Sequence, residues 1–128
     1  MDWLEILGWG PEEIEGLRGS AYSYIKEGIY DIPLAFFDAL TVLTPQVPYD
    51  LQTLGALHLQ LGNGLKALDY LDRSLKLEPH HLLTQLNRAK ALLMLGYKRQ
   101  GLVQALELEK CNDKDIAMAA SALVLAYR

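Results

Sequence analysis

Along the chain, runs of apolar residues at helical spacing alternate with short breaks, and the breaks carry glycine and proline at regular places. Gly28, Gly62 and Gly96 stand 34 residues apart, and Pro45 and Pro79 keep the same interval. Counted from residue 14, the pattern falls into units 14–47, 48–81 and 82–115, each with glycine at its fifteenth place between two helix-like segments. A helix hairpin needs a residue that tolerates positive φ where its first helix stops, and glycine does so at least steric cost. Proline at the thirty-second place cannot continue the second helix, so it marks the step into the next hairpin. Beyond the third unit, Ile116, Ala120, Leu123, Val124 and Tyr127 keep helical spacing behind Asn112 or Asp113 as candidate N-cap, which predicts a capping helix over 116–128. Residues 1–13 form a short apolar segment, with Trp3, Leu4, Ile6 and Leu7 closed by Gly8, Gly10 and Pro11. Such a segment reads equally as a lid on the first unit or as a contact surface between protomers.

A 34-residue period is that of the tetratricopeptide repeat. The expected fold is all-α: three tetratricopeptide hairpins and a C-terminal capping helix in a right-handed superhelical solenoid, with seven or eight helices and no sheet. The second unit carries the signature most fully, with Leu54, Gly55, Gly62, Ala67, Leu68, Ser74, Leu75, Leu77 and Pro79 at the places where such repeats want leucine, small, glycine, alanine, apolar, small, apolar, apolar and proline. Small residues at the eighth and twentieth places let the two helices of a hairpin approach closely. The first unit keeps Ala21, Tyr24, Gly28, Tyr30, Asp31 and Phe37 but has Pro33 in place of the usual alanine, in a first helical turn where the backbone N–H has no helical partner to lose. The third keeps Ala89, Leu92 and Gly96; then Gly101 replaces the alanine and no proline follows Leu108, so the signature fades through its second helix. In the capping helix Ala117, Ala122, Leu125 and Ala126 lie off the inward stripe, whereas a cap turns a polar face to water. Either that end is covered or the chain continues beyond it in a longer protein, and the apolar segment at one end or the other is expected to be covered by a second chain.

First helices of such repeats line a concave surface, mainly through their second, fifth, ninth, twelfth and thirteenth places. Here these are Glu15, Arg18, Tyr22, Ile25 and Lys26, then Tyr49, Gln52, Ala56, Leu59 and Gln60, then Leu83, Leu86, Lys90, Leu93 and Met94. More than half are apolar, and exposed apolar surface on this scale points to a protein or peptide partner, with Tyr and Met suited to such contacts. Of these, Ala56 is expected in the core rather than the groove, and Leu59 and Leu93 fit either place. Some tetratricopeptide adaptors hold the C-terminal carboxylate of heat-shock chaperones in a clamp of Lys, Asn and Arg. Its places fall here on Arg18, Tyr22, Thr53, Leu83 and Asn87, where only Arg18 keeps the charge, so carboxylate capture is disfavoured.

Composition narrows the partners further. Of 128 residues, 51% are hydrophobic and 22% charged, as in globular domains. A net charge of −4 argues against a nucleic-acid binder. The longest stretch free of Asp, Glu, Lys and Arg, Leu51 to Leu65, includes Gln52, His58, Gln60 and Asn63 and falls short of the ~18 apolar residues of a spanning helix, so no membrane insertion is expected. The acidic N-terminus does not look like a secretory signal, and a soluble, cytosolic protein is expected. Charge is segregated: residues 1–50 carry two basic and nine acidic side chains, and residues 51–106 seven basic and three acidic. Catalytic chemistry finds no foothold. None of His58, His80 and His81 has a metal-like partner at i+4, the Gly62-Asn63-Gly64 run sits at a hairpin turn with no strand before it, and the lone Cys111 is read as a small packed hydrophobe. No cofactor, metal or catalytic residue is expected.

Residues 28–45, Gly-Ile-Tyr-Asp-Ile-Pro-Leu-Ala-Phe-Phe-Asp-Ala-Leu-Thr-Val-Leu-Thr-Pro, resemble the first repeat of the tetratricopeptide chaperones of bacterial type III secretion, including the Ala-Leu pair at Ala39-Leu40. Residues 51–62, with Leu54-Gly55-Ala56 and Gln60-Leu61-Gly62, and residues 89–96, with Ala89, Leu92-Leu93 and Gly96, are similar to its second and third repeats. Pro33 and the short N-terminal region depart from the translocator chaperones, whose dimerising helix is longer. The resemblance implies a chaperone of the bacterial cytoplasm that holds an aggregation-prone secretion substrate, translocator or needle subunit, in its groove before export. A small co-chaperone or a homodimer is implied as a further partner. A general tetratricopeptide adaptor is the alternative.

Overall fold

The computed structural model describes residues 7–128, and all regular structure within them is helical. Seven helices follow in order: α1 Pro11–Lys26, α2 Asp31–Leu43, α3 Pro48–Gln60, α4 Gly64–Leu77, α5 Leu82–Met94, α6 Lys98–Leu108 and α7 Lys114–Tyr127. They pair as hairpins α1–α2, α3–α4 and α5–α6, and each second helix also packs on the first helix of the next unit, with α7 closing on α6 and α5. Trp3, Leu4 and Ile6 lie outside the described residues, and the choice between lid and contact surface lies there with them.

Each first helix stops in the same way. Gly28, Gly62 and Gly96 have φ of 79°, 81° and 89°, and the residue after each donates its N–H back across the turn: Ile29 to the Tyr24 carbonyl at 2.9 Å, Asn63 to His58 at 2.8 Å, Tyr97 to Leu92 at 2.9 Å. This left-handed closure satisfies carbonyls that a helix end would leave bare, and a Cβ at the glycine would be strained. The first two second helices end on residues ahead of proline. Thr44 (φ −135°, ψ 80°) and Glu78 (φ −131°, ψ 80°) take nearly one conformation, because the proline ring pushes its predecessor out of the helical region.

The third unit departs from this scheme for want of that proline. Glu109 stays helical at φ −58°, ψ −24°, and α6 has 11 residues where α4 has 14. The N-caps Val47 and His81 are 34 residues apart, but His81 and Asp113 only 32, so α7 begins at Lys114 rather than 116. Two side chains brace the irregular junction: Asp113 accepts the Ile116 N–H at 3.1 Å, and Ser121 donates to Glu109 at 2.7 Å. Pro33 is buried in the first turn of α2, where its missing N–H costs no helical bond.

Between the hairpins the core runs as linked clusters. Phe37, Leu40, Leu54 and Leu57 gather with Ile14 and Ala21; Ala67 and Leu71 meet Ala91; Leu86 and Leu108 meet Ile116 and Ala120. Close approaches occur at glycines inside helices. A Cβ on Gly55 would lie 2.5 Å from a methyl of the buried Leu71, and one on Gly101 would lie 2.6 Å from Leu93 Cγ. Gly55→Ala should accordingly destabilise the fold by about 1–3 kcal/mol through overpacking, measured by denaturant unfolding; an unchanged or raised midpoint would show that Leu71 has room to give way.

His58, buried in α3, stacks on Tyr70 of α4 with ring centroids 5.5 Å apart and 7° between planes. The Tyr70 hydroxyl donates to Asp38 at 3.1 Å, tying α4 to α2. Burial, the largest cause, holds the His58 imidazole below its usual value; Lys66 acts in the same direction and Asp38 against it. The fold therefore favours neutral His58. Its contribution is complete above the unfolded value of about 6.5 and is lost as pH falls through that value toward the lower folded one. Thermal unfolding should drop between pH 7.5 and 5.5, and His58→Phe should flatten that drop.

Candidate functional site

The first helices α1, α3 and α5 lie side by side, and the face they share holds an open cavity of about 350 Å³. Its walls are Tyr22 and Ile25 of α1, Tyr49, Gln52, Thr53, Ala56, Leu57 and Gln60 of α3, and Leu83, Thr84 and Asn87 of α5, with Tyr30 and His81 from the turns. Helical spacing produces this lining: 22 and 25, then 49, 52, 53, 56 and 60, then 83, 84 and 87 repeat one stripe on three successive helices. Tyr22, Tyr49 and Leu83 stand about half exposed. The polar groups of the lining are carboxamides, hydroxyls and the His81 imidazole, and charge reaches the edge from outside it: Gln52 donates to the Glu78 carboxylate at 3.2 Å. The Lys26 ammonium lies 5.0 Å over the Tyr22 ring, an attractive placement for a cation.

Of the residues assigned to the groove by register, Tyr22, Ile25, Tyr49, Gln52 and Leu83 meet at this cavity, as do Ala56 and Gln60. Ala56, expected in the core, is exposed. Two assignments are corrected. Leu86 is only 3% exposed and packs against Leu108, Ile116 and Ala120, because the early start of α7 lays that helix over it. Leu93 is 5% exposed and fills the space that Gly101 leaves on α6. Both are core, and a charge at Leu86 would unfold the chain rather than merely blank a surface. Leu59 is half-buried against Ala67 and Leu71. Met94 reaches the start of α4, its Sδ 3.3 Å from where a Gly64 Cβ would stand. Lys90 is half-buried and, like Met94, is not among the cavity residues.

Arg18 stands outside the cavity and is occupied. Its Nε and Nη2 donate to the two oxygens of Asp50 at 3.0 and 2.8 Å, and Nη1 pairs with Glu15. Asp50 is fully buried in the first turn of α3, where the helix N-terminus also favours its charge. The Asp50 hydrogen bond, outweighing partial burial, raises the Arg18 guanidinium above its ordinary value. The one clamp place that retains a cation thus holds α1 to α3 and has little charge left for a ligand carboxylate.

Tyr30, Leu57, His81 and Thr84 escape a reading by repeat places. Tyr30 is carried in by the turn at Gly28, and His81 caps α5 by accepting the Thr84 N–H at 3.3 Å. Aromatic residues just past a hairpin glycine, and a His-x-x-Thr cap, are the signals that could have found them. Among the described residues no three His, Cys, Asp or Glu side chains converge as a metal site would, and no helix is long and apolar enough to cross a membrane. Cys111 is half-buried beside the Leu86 cluster, its thiol 3.4 Å from the Asp113 carbonyl.

No family model matches the chain, and no curated protein does either. Among solved structures, the crystal structure of yeast Tom70 matches 91% of this chain with a TM-score of 0.73 at 18% sequence identity. This fold is a tetratricopeptide solenoid. The chain spans 23% of that Tom70 chain, and at such identity the likeness is one of architecture.

Removing one member of the buried pair should cost unequally. Arg18→Ala strands a fully buried carboxylate and should destabilise by roughly 3–5 kcal/mol, whereas Asp50→Ala leaves an arginine that can turn to Glu15 and water, and should cost less. A double-mutant cycle by urea unfolding checks the order; equal or reversed losses would show that the pair does not hold α1 to α3.

Proposed function

We propose that this protein binds a segment of another protein in the concave groove of α1, α3 and α5, burying the segment's apolar side chains between Tyr22, Tyr49 and Leu83. The observation that carries the reading is the cavity itself: an open, mainly apolar hollow whose lining is repeated from hairpin to hairpin. Tetratricopeptide architecture supports a protein-interaction role. The groove's donors and acceptors, Gln52, Thr53, Gln60 and Asn87, are uncharged and suit a peptide backbone, while Arg18 is committed to Asp50. An internal apolar segment fits this lining better than a chain-terminal carboxylate. The cost of ordering a flexible client limits the affinity such a groove reaches.

The finer reading is a holding chaperone of bacterial type III secretion that covers an aggregation-prone translocator or needle subunit in the cytoplasm before export. It rests on the resemblance of residues 28–45, 51–62 and 89–96 to that family. A general adaptor between folded proteins uses the same groove and differs in its client. Tagged wild-type protein and Leu83→Glu, a half-exposed position where a charge leaves the core intact, should be recovered in parallel from the native host. The wild type is expected to retain a secretion substrate in near-equal amount and the variant to lose it, with helical circular dichroism unchanged. A client retained equally by both would overturn the groove reading. A folded cytosolic client lost from the variant would keep the groove and replace the chaperone reading with the adaptor.

A further inference from the structure

Helix α7 repeats the register of α3 and α5. Counted from the N-caps Val47, His81 and Asp113, its buried Ile116, Ala120 and Val124 fall at the places of Asp50, Leu54 and His58 in α3 and of Thr84, Arg88 and Leu92 in α5. On the same count Ala117, Ser121 and Leu125 stand where α3 has Leu51, Gly55 and Leu59 and where α5 has Gln85, Ala89 and Leu93. Twice in this molecule that face is covered by an antiparallel helix. Leu71 of α4 closes on Gly55, and Leu93 lies against Gly101 of α6. On α7 that face is only partly covered: Ala117 and Ser121 are half-buried, with Ser121 held by Glu109, but Leu125 is 66% exposed where its counterpart Leu93 is 5%, and beside it Met118 is 71% exposed and Ala122 is exposed as well. Residues 116–127 carry no charge at all. In both hairpins the cover on that face is a helix running the other way.

We propose that the cover is α7 of a second copy of this chain, the two helices packing antiparallel so that each takes on the other the place that α4 and α6 take on α3 and α5. The sequence of α7 is complementary to itself under a single two-fold axis placed between Ser121 and Ala122. That axis sets Met118 of each protomer against Leu125 of the other. It puts the small, exposed Ala122 where the helices cross, as Gly55 and Gly101 do within the hairpins, with Ser121 turned aside to Glu109, and so permits close approach. It also brings Asp115 of each copy opposite Arg128 of the other, the one arrangement in which the charges at the ends of α7 attract across the pair. A parallel pairing would set Asp115 on Asp115 and Arg128 on Arg128. An isologous contact of this kind closes on itself and stops at two subunits.

The full chain is tested by light scattering over a dilution series, beside Leu125→Glu. A wild-type dimer whose dissociation constant rises at least ~10-fold in the variant, with helicity and unfolding temperature retained, is expected for loss of a central apolar anchor. A wild type that stays monomeric throughout, a dimer that Leu125→Glu does not weaken, or an α7 face occupied instead by a helix of another protein would overturn the proposal. Disulfide trapping stands independently of how Leu125→Glu folds. In a Cys111→Ala background, Ala122→Cys, at an exposed position beside the axis, should cross-link on mild oxidation. Ala117→Cys should not, because its counterpart lies about 13.5 Å away along the antiparallel axis, beyond disulfide reach. The reverse order would mean that α7 pairs otherwise or not at all.

Discussion

A helix hairpin of this kind depends on how closely its two helices approach at one small residue. At Gly55 the side chain of Leu71 occupies the space a Cβ would need, and at Gly101 Leu93 does so from the other helix. Glycine thus sits on the first helix in one hairpin and on the second in another, and the contact is the same. A glycine in a helix interior forfeits about 1 kcal/mol of propensity, and the leucine packed into the gap offsets that through many close dispersion contacts. The separation of the two helices decides how far each hairpin is displaced from the next, and therefore how far apart α1, α3 and α5 stand. The cavity between them is a consequence of those few ångströms.

Electrostatics enters the groove by subtraction. Burying Asp50 demands a partner, because an unpaired carboxylate away from water is among the costliest features a fold can carry. Arg18 supplies both hydrogen bonds, and in doing so leaves the groove wall with polar groups but no unpaired guanidinium. On the proposed reading, recognition there falls to shape, to apolar burial and to the carboxamide and hydroxyl groups of the lining. The buried pair thereby acts at two levels: it locks the first hairpin to the second, and it sets the kind of ligand that the surface between them can take.

The repeat was legible because its markers are backbone events. A left-handed glycine at 28, 62 and 96 and an extended residue ahead of Pro45 and Pro79 are dictated by φ and ψ, so they show in the sequence wherever they occur. Groove positions on α1 and α3, such as Tyr22, Tyr49 and Gln52, followed from counting within that frame. The count misplaced Leu86 and Leu93 because burial is settled by neighbours rather than by place. Gly101 stands where the repeat usually has alanine, which draws Leu93 inward, and the loss of the third proline advances α7 by two residues onto Leu86. Neither displacement leaves a local mark at the leucine concerned. Tyr30 and His81 were out of reach for another reason, since the turns that deliver them to the cavity lie outside the helical stripes.

Segregation of charge along the sequence has an outcome in space. The ion pairs among the described residues, Arg18 with Glu15 and Asp50, Arg73 with Asp69, and Arg88 with Asp72, each join residues of the same half of the chain. None of them consumes the imbalance between an acidic first third and a basic middle. Glu12, Glu13, Glu27 and Asp31 on and around α1 and α2, and Lys66, Lys76, Lys98 and Arg99 on α4 and α6, remain exposed to solvent. Because the repeats stack in chain order, sequence asymmetry becomes a potential that runs along the stack, from negative at α1 to positive toward α6. Such a field acts over about a Debye length, ~8–10 Å, and orients an approaching partner before any groove contact forms. On the proposed reading the apolar groove spans that gradient and different residues serve orientation and anchoring: exposed charges on α1, α4 and α6 for the direction of approach, and Tyr22, Tyr49 and Leu83 for the contact.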